Sequence, residues 1–475
     1  MGFAEYADHD GLGLAALVRK GEVSPADLVE AAIERIERHN GVLNAVVHKA
    51  YDEARRTARG KLPTGAFAGV PFLIKDLECP VAGWPCTSGS RFASDEVASA
   101  DGLLTRRFRE SGVVLLGKTN TPEFGITGTT ESVRLGPCRT PWDRERIAGG
   151  SSGGAAAAVA SGMVPLAHAS DGLGSIRIPA SCCGLVGLKL TRDRNPAGLE
   201  DAERAIGFVV EHVVSRSVRD SAAMLDATGY PEAASPYPPP PKARPYLEEI
   251  ATPPGRLRIA FSSETPTGAP VDPEIRTALE TVARWLEALG HDVEERGLDV
   301  DYRRLYGAQR AVSTANFAAA MAERIQALGR EPGPDELEPN TRAVLMVGRA
   351  RTGENVMRGW RTLRVMCRQI LQRFETLDVF LTPMRAVPLP RIGDLGPDQD
   401  PRELNRQQAR ILPFTPPFNF TGQPAVSLPL LHTADGLPLG MQFVGRYGDE
   451  ATLFRLAAQL EQAHPWRGRR PGIWG

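Results

Sequence analysis

The chain has 475 residues and a formal net charge of −1, with 42% hydrophobic and 24% charged residues, which is ample for a large core. So even a balance, with no basic tail and no interleaving of basic and aromatic residues, argues against nucleic acid or an anionic membrane as partner. No stretch approaches about eighteen uninterrupted apolar residues, so no membrane span is expected.

The amino terminus, MGFAEYADHD, lacks a charged segment followed by a long apolar run. No signal peptide is expected there, and cytoplasm is the default location. Gly2 lacks the Ser or Thr at position six that a myristoylation signal needs. Ser24, Pro25 and Asp27 predict a helix start: a cap, a preset φ and an acid at the positive end of the dipole. Leu28, Ala31, Ala32 and Ile36 then fall on one face. GVPFLIKDL (69–77) and SGVVLLGKTN (111–120) are short apolar runs ended by polar residues, as expected of buried parallel strands. Residues 131–154 read as loop, and the alanine run 155–161 as helix.

Six cysteines (79, 86, 138, 182, 183 and 367) show neither CxxC nor CxxH spacing, so neither a zinc site nor a disulfide framework is indicated. Cys182 and Cys183 sit in an apolar segment and read as small packing residues. The proline-rich segment 235–245 is extended and stiff. Beyond it, 257–261 reads as a strand, 272–290 as an amphipathic helix, 302–376 as helices, and 378–383 as another core strand. Alternating strands and helices point to an α/β/α sandwich. No internal repeat is visible.

The chemistry is concentrated in residues 149–189, GGSSGGAAAAVASGMVPLAHASDGLGSIRIPASCCGLVGLK. Two clusters of serine and glycine, 149–154 and 170–175, bracket the alanine run. Glycine permits φ > 0 and lets a substrate approach the backbone closely. Consecutive free N–H groups in such a loop can hold an oxyanion. Upstream, Lys75 ends the run GVPFLIK and offers the base, so the pattern suggests a serine hydroxyl activated by a neutral amine.

These motifs resemble the amidase signature family. Its pattern is a Gly-Gly-Ser-Ser-Gly-Gly loop, a Gly-Gly-Ser-Ile-Arg segment and a lysine well upstream, met here at Ser151, Ser175 and Lys75. NFTGQPAVSLP (419–429), GLPLGMQFVG (436–445) and YGDEATLFRLAAQLE (447–461) fit as well, so the likeness spans about 24–466. Within the family the chain looks most like bacterial amidases that hydrolyse cyclic nylon oligomers. The resemblance implies one α/β domain over 1–475, an α/β/α sandwich with a large mixed, mostly parallel sheet. Core motifs lie in 65–230 and 376–466, and the helices of about 302–376 flank the substrate pocket. The proline-rich segment is then a surface loop rather than a domain linker.

The resemblance also implies site roles. Ser175 would attack the carbonyl, and Lys75 would be the base. Ser151, joined to its neighbour by a cis peptide, would relay the proton. The backbone N–H groups of Gly172, Leu173, Gly174 and Ser175 would form the oxyanion hole. Leu173 departs from the usual glycine and Ser170 from the usual threonine, which bears on substrate choice. Lys75 serves as base only if burial brings it from about 10.4 to roughly 7–8. Asp76 should point to the opposite face of the strand. Asp171 and Arg177 read as an internal charge-paired frame. The segment 120–126 resembles the pocket-lining loop, with Gly125, Ile126, Gly149 and Gly150 as substrate contacts and Ile126 as an apolar wall.

The expected function is hydrolysis of small to medium aryl or alkyl amides or ω-amino-acid oligomers, with carbamates and esters also reachable. No cofactor or metal is implied, and the protein would be a monomer or homodimer. One alternative is an α/β-hydrolase-type esterase using Ser151 or Ser152, since GGSSG fits a nucleophile elbow. That reading needs a strand just before the motif, where DRERIA is charged and short, and a histidine partner. His168 reads instead as a hydrogen-bonded structural histidine. A phosphate-cradling loop is disfavoured, because GKT at 117–119 lacks the upstream glycine. The other alternative is a glutamine amidotransferase subunit acting with transfer RNA and partner proteins. Glutamine users of the family hold the substrate ammonium with an acid where this chain has Leu412, which disfavours glutamine.

Overall fold

Ser24 caps its helix as expected. Its hydroxyl accepts from the Asp27 amide, the Asp27 carboxylate accepts from the Ser24 amide, and α1 runs Pro25–Leu43. Leu28, Ala31, Ala32 and Ile36 are fully buried along it. The computed structural model describes residues 3–92, 97–198, 205–230, 235 and 237–475. Gly2, and Pro236 within the proline-rich segment, lie outside them.

Strands β1 (Val46–Lys49), β2 (Pro71–Lys75) and β3 (Val114–Thr119), with α2 (Leu103–Glu110) between the last two, form a three-stranded sheet in the order β1-β3-β2. β2 and β3 are parallel and buried at every position, as their uninterrupted apolar runs require. The chain continues through α3 (Gly153–Ala160), β4 (Leu166–Asp171), α4 (Arg177–Cys183), β5 (Val186–Lys189), β6 (Val210–Ser215), β7 (Arg258–Phe261), α5 (Pro273–Ala288) and β8 (Asp292–Glu295). Helices α6 (Tyr302–Leu328), α7 (Pro339–Arg349) and α8 (Gly353–Arg373) follow, then β9 (Val379–Pro383), α9 (Pro401–Ile411), β10 (Ala425–His432), β11 (Pro438–Gly445) and α10 (Glu450–Ala463). The helices expected over 302–376 and the strand expected over 378–383 are thus present.

Eight strands make one sheet in the order β8-β7-β9-β11-β10-β5-β6-β4, and β2 lies beside β4 at its edge. Alternation along the strands builds the layers. Val379 and Leu381 of β9 pack with α5 and α10 on one face, while Phe380 packs with α6 and α8 on the other. This is the α/β sheet between helices that was expected, and the sheet is mixed. It is not mostly parallel, however. Only β7–β8 and β7–β9 pair in parallel within the eight strands, and the other pairings are antiparallel. An apolar run signals burial, not direction. The short turn from His432 to Pro438 forces β10 and β11 antiparallel, because a parallel pair needs a long crossover.

Residues 131–154 are not plain loop. Glu131–Ser132 pairs with Gly136–Pro137, and Arg139–Thr140 with Asp143–Ile147, as two small antiparallel hairpins. The described part of the proline-rich segment carries no helix or strand. Pro240 accepts from Arg194 through its carbonyl, and Lys242 pairs with Asp226 at 2.5 Å. Among the described residues, no helix is long and apolar enough to cross a membrane.

Candidate active site

Lys75 ends β2 with its side chain fully buried. Its Nζ donates to Ser151 Oγ at 2.7 Å and to Ser170 Oγ at 2.9 Å. Asp76, one residue on, bonds to Thr87 and lies 3.4 Å from Lys118 Nζ. Among the described residues no carboxylate pairs with Lys75. Burial lowers its ammonium from the ordinary 10.5 to about 8, against the charges of Glu78 and Asp171, which act to raise it.

Ser151 sits on the glycine-rich loop ahead of α3, and its peptide bond to Gly150 is cis. Glycine at 150 is a steric necessity, since a Cβ there would lie 2.3 Å from the Thr129 carbonyl oxygen. Thr130 clamps the loop: its hydroxyl donates to the Gly149 carbonyl at 2.9 Å and accepts from the Gly153 amide at 3.1 Å. Gly125 faces Ser151 from the segment after β3, where a Cβ would stand 3.2 Å from Ser151 Oγ and 2.6 Å from a Leu77 methyl. Ile126 follows it, half-buried.

Ser175 stands in the turn between β4 and α4. Ser152 bonds back to the Ser170 backbone, and Gly149 packs on Pro179 of α4. The chain on either side of Ser175 therefore embraces the loop that carries Ser151. Ser175 is half-buried, and among the described residues its hydroxyl makes no hydrogen bond.

The frame behind this turn is the pair Asp171–Arg177, both fully buried. Arg177 donates through Nε and Nη2 to the two carboxylate oxygens, and through Nη1 to Gln442 Oε1 at 2.6 Å. Asn419 donates to the same carboxylate and to the Asp171 carbonyl. Burial alone would raise the Asp171 carboxyl, yet Arg177 brings it well below the usual carboxylate range. The pair is therefore internal, as expected.

One expected donor is withdrawn. The Gly174 amide donates to Asp171 Oδ1 at 2.7 Å, because that anionic oxygen is a stronger acceptor than water. The amides of Gly172, Leu173 and Ser175 remain free among the described residues. Leu173 is 42% exposed, and its carbonyl accepts from the Thr415 hydroxyl at 2.6 Å. Sequence reasoning missed Thr130 and Thr415, which carry no motif of their own. Asn419 and Gln442 lie inside quoted motifs, but nothing local says that they hold Arg177.

A strand, Asp143–Ile147, does precede Ser151, contrary to the sequence reading, so the elbow alternative keeps the strand it needs. Its hydroxyls are nevertheless committed elsewhere, Ser151 to Lys75 and Ser152 to Ser170. His168 reaches neither. Its Nδ1 accepts from the Lys75 amide at 3.2 Å, and its Nε2 lies 3.0 Å from Glu211 Oε1. Cys79, His168 and Glu211 lie close enough to suggest a metal site, their ligand atoms all within 4.8 Å of one another. They do not fit one. An Nδ1 that accepts must be bare, so the single proton of neutral imidazole sits on Nε2, the atom that would have to bind. None of the six cysteines forms a disulfide among the described residues, and burial pushes the Cys182 thiol up to about 12, as suits an inert packing residue. Leu412 is buried against Gly128 at the end of α9.

A family model described as amidase matches residues 27–454. The 6-aminohexanoate-cyclic-dimer hydrolase of Pseudomonas sp. (strain NK87) is 38% identical over 477 residues, covering 98% of this chain and 96% of the relative. The solved structure of a 6-aminohexanoate cyclic dimer hydrolase complexed with substrate superposes with a TM-score of 0.94 at 36% identity, covering 99% of this chain and all of that one. A bacterial aryl acylamidase of the amidase signature family superposes with a TM-score of 0.87 at 28% identity, covering 97% of this chain and 99% of that one.

Proposed function

Because the chain belongs to the amidase signature family of amide hydrolases, we propose that it cleaves carboxylic amide C–N bonds through an acyl-enzyme on Ser175. Neutral Lys75 takes the Ser151 hydroxyl proton as Ser151 takes that of Ser175. Ser175 Oγ attacks the carbonyl carbon, and the developing oxyanion is held by the amides of Gly172, Leu173 and Ser175. The proton returns along the same path to the leaving nitrogen, and water then attacks the ester by the reverse relay. The observation that carries this reading is the 2.7 Å bond from a fully buried lysine, with its ammonium lowered to about 8, to a serine hydroxyl.

Leu77, Ile126, Leu173 and Leu412 give the surroundings an apolar character. This supports small to medium aryl or alkyl amides and ω-amino-acid oligomers, with carbamates and esters as further acyl donors. Gly125, Ile126, Gly149 and Gly150 are the proposed substrate contacts. We take residues 1–475 as one domain, acting in the cytoplasm as a monomer or homodimer without a cofactor.

The test is labelling with a fluorophosphonate and mapping of the modified peptide. A single adduct on Ser175 is expected. An adduct on Ser151 or Ser152 would overturn the assignment in favour of the elbow reading.

A further inference from the structure

A buried chain of hydrogen bonds, Glu211–His168–Lys75, lies outside the proposed reaction. β4 grips one lysine at both ends. Ser170 accepts from Lys75 Nζ, and His168, two residues earlier on the same face, accepts from the Lys75 amide through Nδ1 at 3.2 Å. His168 is fully buried, with the Phe108 ring of α2 against its own at 5.6 Å. On β6, Glu211 stands opposite Ser170 in the antiparallel register, which puts its carboxylate diagonally across from His168, 3.0 Å from Nε2.

The bonds determine the tautomer. Nδ1 accepts, so it is bare. Nε2 therefore carries the proton and donates it to the Glu211 carboxylate. A protonated ring would present Nδ1–H to the Lys75 N–H, two donors face to face, and the contact would be lost. Among the described residues, the ionisable groups facing the ring include Glu211 on β6, Lys75 on β2 and Cys79 just beyond β2.

We infer that His168, oriented by Glu211, is a positioning residue: it anchors the main chain of Lys75 so that Nζ stays in its dry niche between Ser151 and Ser170. The inference rests on the reading of Lys75 as the base. It makes the reactivity of Ser175 depend on an acceptor at the Nδ1 position, not merely on a filled cavity.

The test compares His168→Asn with His168→Gln. The asparagine amide oxygen takes the place of Nδ1 and keeps the acceptor for the Lys75 amide. The glutamine amide reaches the place of Nε2, facing Glu211, and leaves that N–H without one. The rate of fluorophosphonate labelling of Ser175 is followed against pH, beside the thermal midpoint. His168→Asn should label within about three-fold of the parent with the inflection still near 8. His168→Gln should label at least about ten-fold more slowly, with its inflection moved up toward the ordinary lysine value of about 10.4. Equal behaviour of the two variants overturns the inference, as does a fall in thermal midpoint with an unmoved inflection. Lys75→Met separates the two levels: if it labels like the parent, the catalytic reading itself fails. If it is inert while Asn and Gln match each other, only the positioning role falls.

Discussion

Replacing Lys75 by methionine should abolish hydrolysis and yet stabilise the fold near neutral pH. Burial brings the Lys75 ammonium from 10.5 to about 8. At about 1.4 kcal/mol per pH unit, that gap corresponds to roughly 3 kcal/mol by which the folded state resists carrying the charge. Between those two values the unfolded chain holds a proton that the folded chain does not, so the stability of the parent rises with pH across that window. Below about 8 both states are protonated and the parent bears the whole penalty; above about 10.5 neither is and the penalty is gone. Methionine has a similar length and no charge, so Lys75→Met escapes the penalty. It also loses the bonds to Ser151 and Ser170, about 1 kcal/mol each at any pH. The variant should therefore be about 1 kcal/mol more stable than the parent near pH 7 and about 2 kcal/mol less stable above pH 10.5. Urea unfolding of both proteins at the two pH values measures this, since other titrating groups cancel in the difference. A stability difference that does not change with pH would refute the claim that Lys75 is held against its charge by desolvation.

Three further outcomes follow from the site. Asp171→Asn should lower stability by about 3–5 kcal/mol and abolish labelling of Ser175, because it strands the fully buried Arg177; thermal unfolding and labelling check both. Gly174→Ala should cost about 1–3 kcal/mol and most of the activity, since φ is +131° there and the new Cβ would stand 2.3 Å from Thr415 Oγ1; a normal thermal midpoint would contradict this. Leu173→Gly should change stability by no more than about 1 kcal/mol, the side chain being 42% exposed. It should shift the ratio of kcat/KM between bulky and small acyl groups about ten-fold, which a paired ester panel measures.

Much of the site was legible because its chemistry demands particular residues at particular places. Gly150 can only be glycine beneath Thr129, and in the proposed mechanism a hydroxyl at 151 or 175 has no substitute. The capping residues of α1 and the buried runs of β2 and β3 were legible for local reasons, propensity and apolar continuity. The hairpins at 131–147 were not. Their strands run two to five residues, and DRERI carries charges on a half-exposed edge, so neither length nor alternation marks them. The fate of the Gly174 amide was equally hidden, since it turns on where the Asp171 carboxylate lies.

What the sequence determined by itself is the family, the three residues proposed to react and the apolar segments of the core, because each is set by the identity of residues near one another in the chain. Only the tertiary structure decided the rest. It turned most of the large sheet antiparallel, since strand direction depends on how connections return. It brought β4 against β2, so that residues from 168 to 170 hold both ends of a lysine more than ninety positions earlier. And it buried that lysine with no carboxylate paired to it among the described residues, which lowers an ordinary ammonium to about 8 and suits it to the proposed role of base, because desolvation belongs to the packed molecule and to no single stretch of its chain.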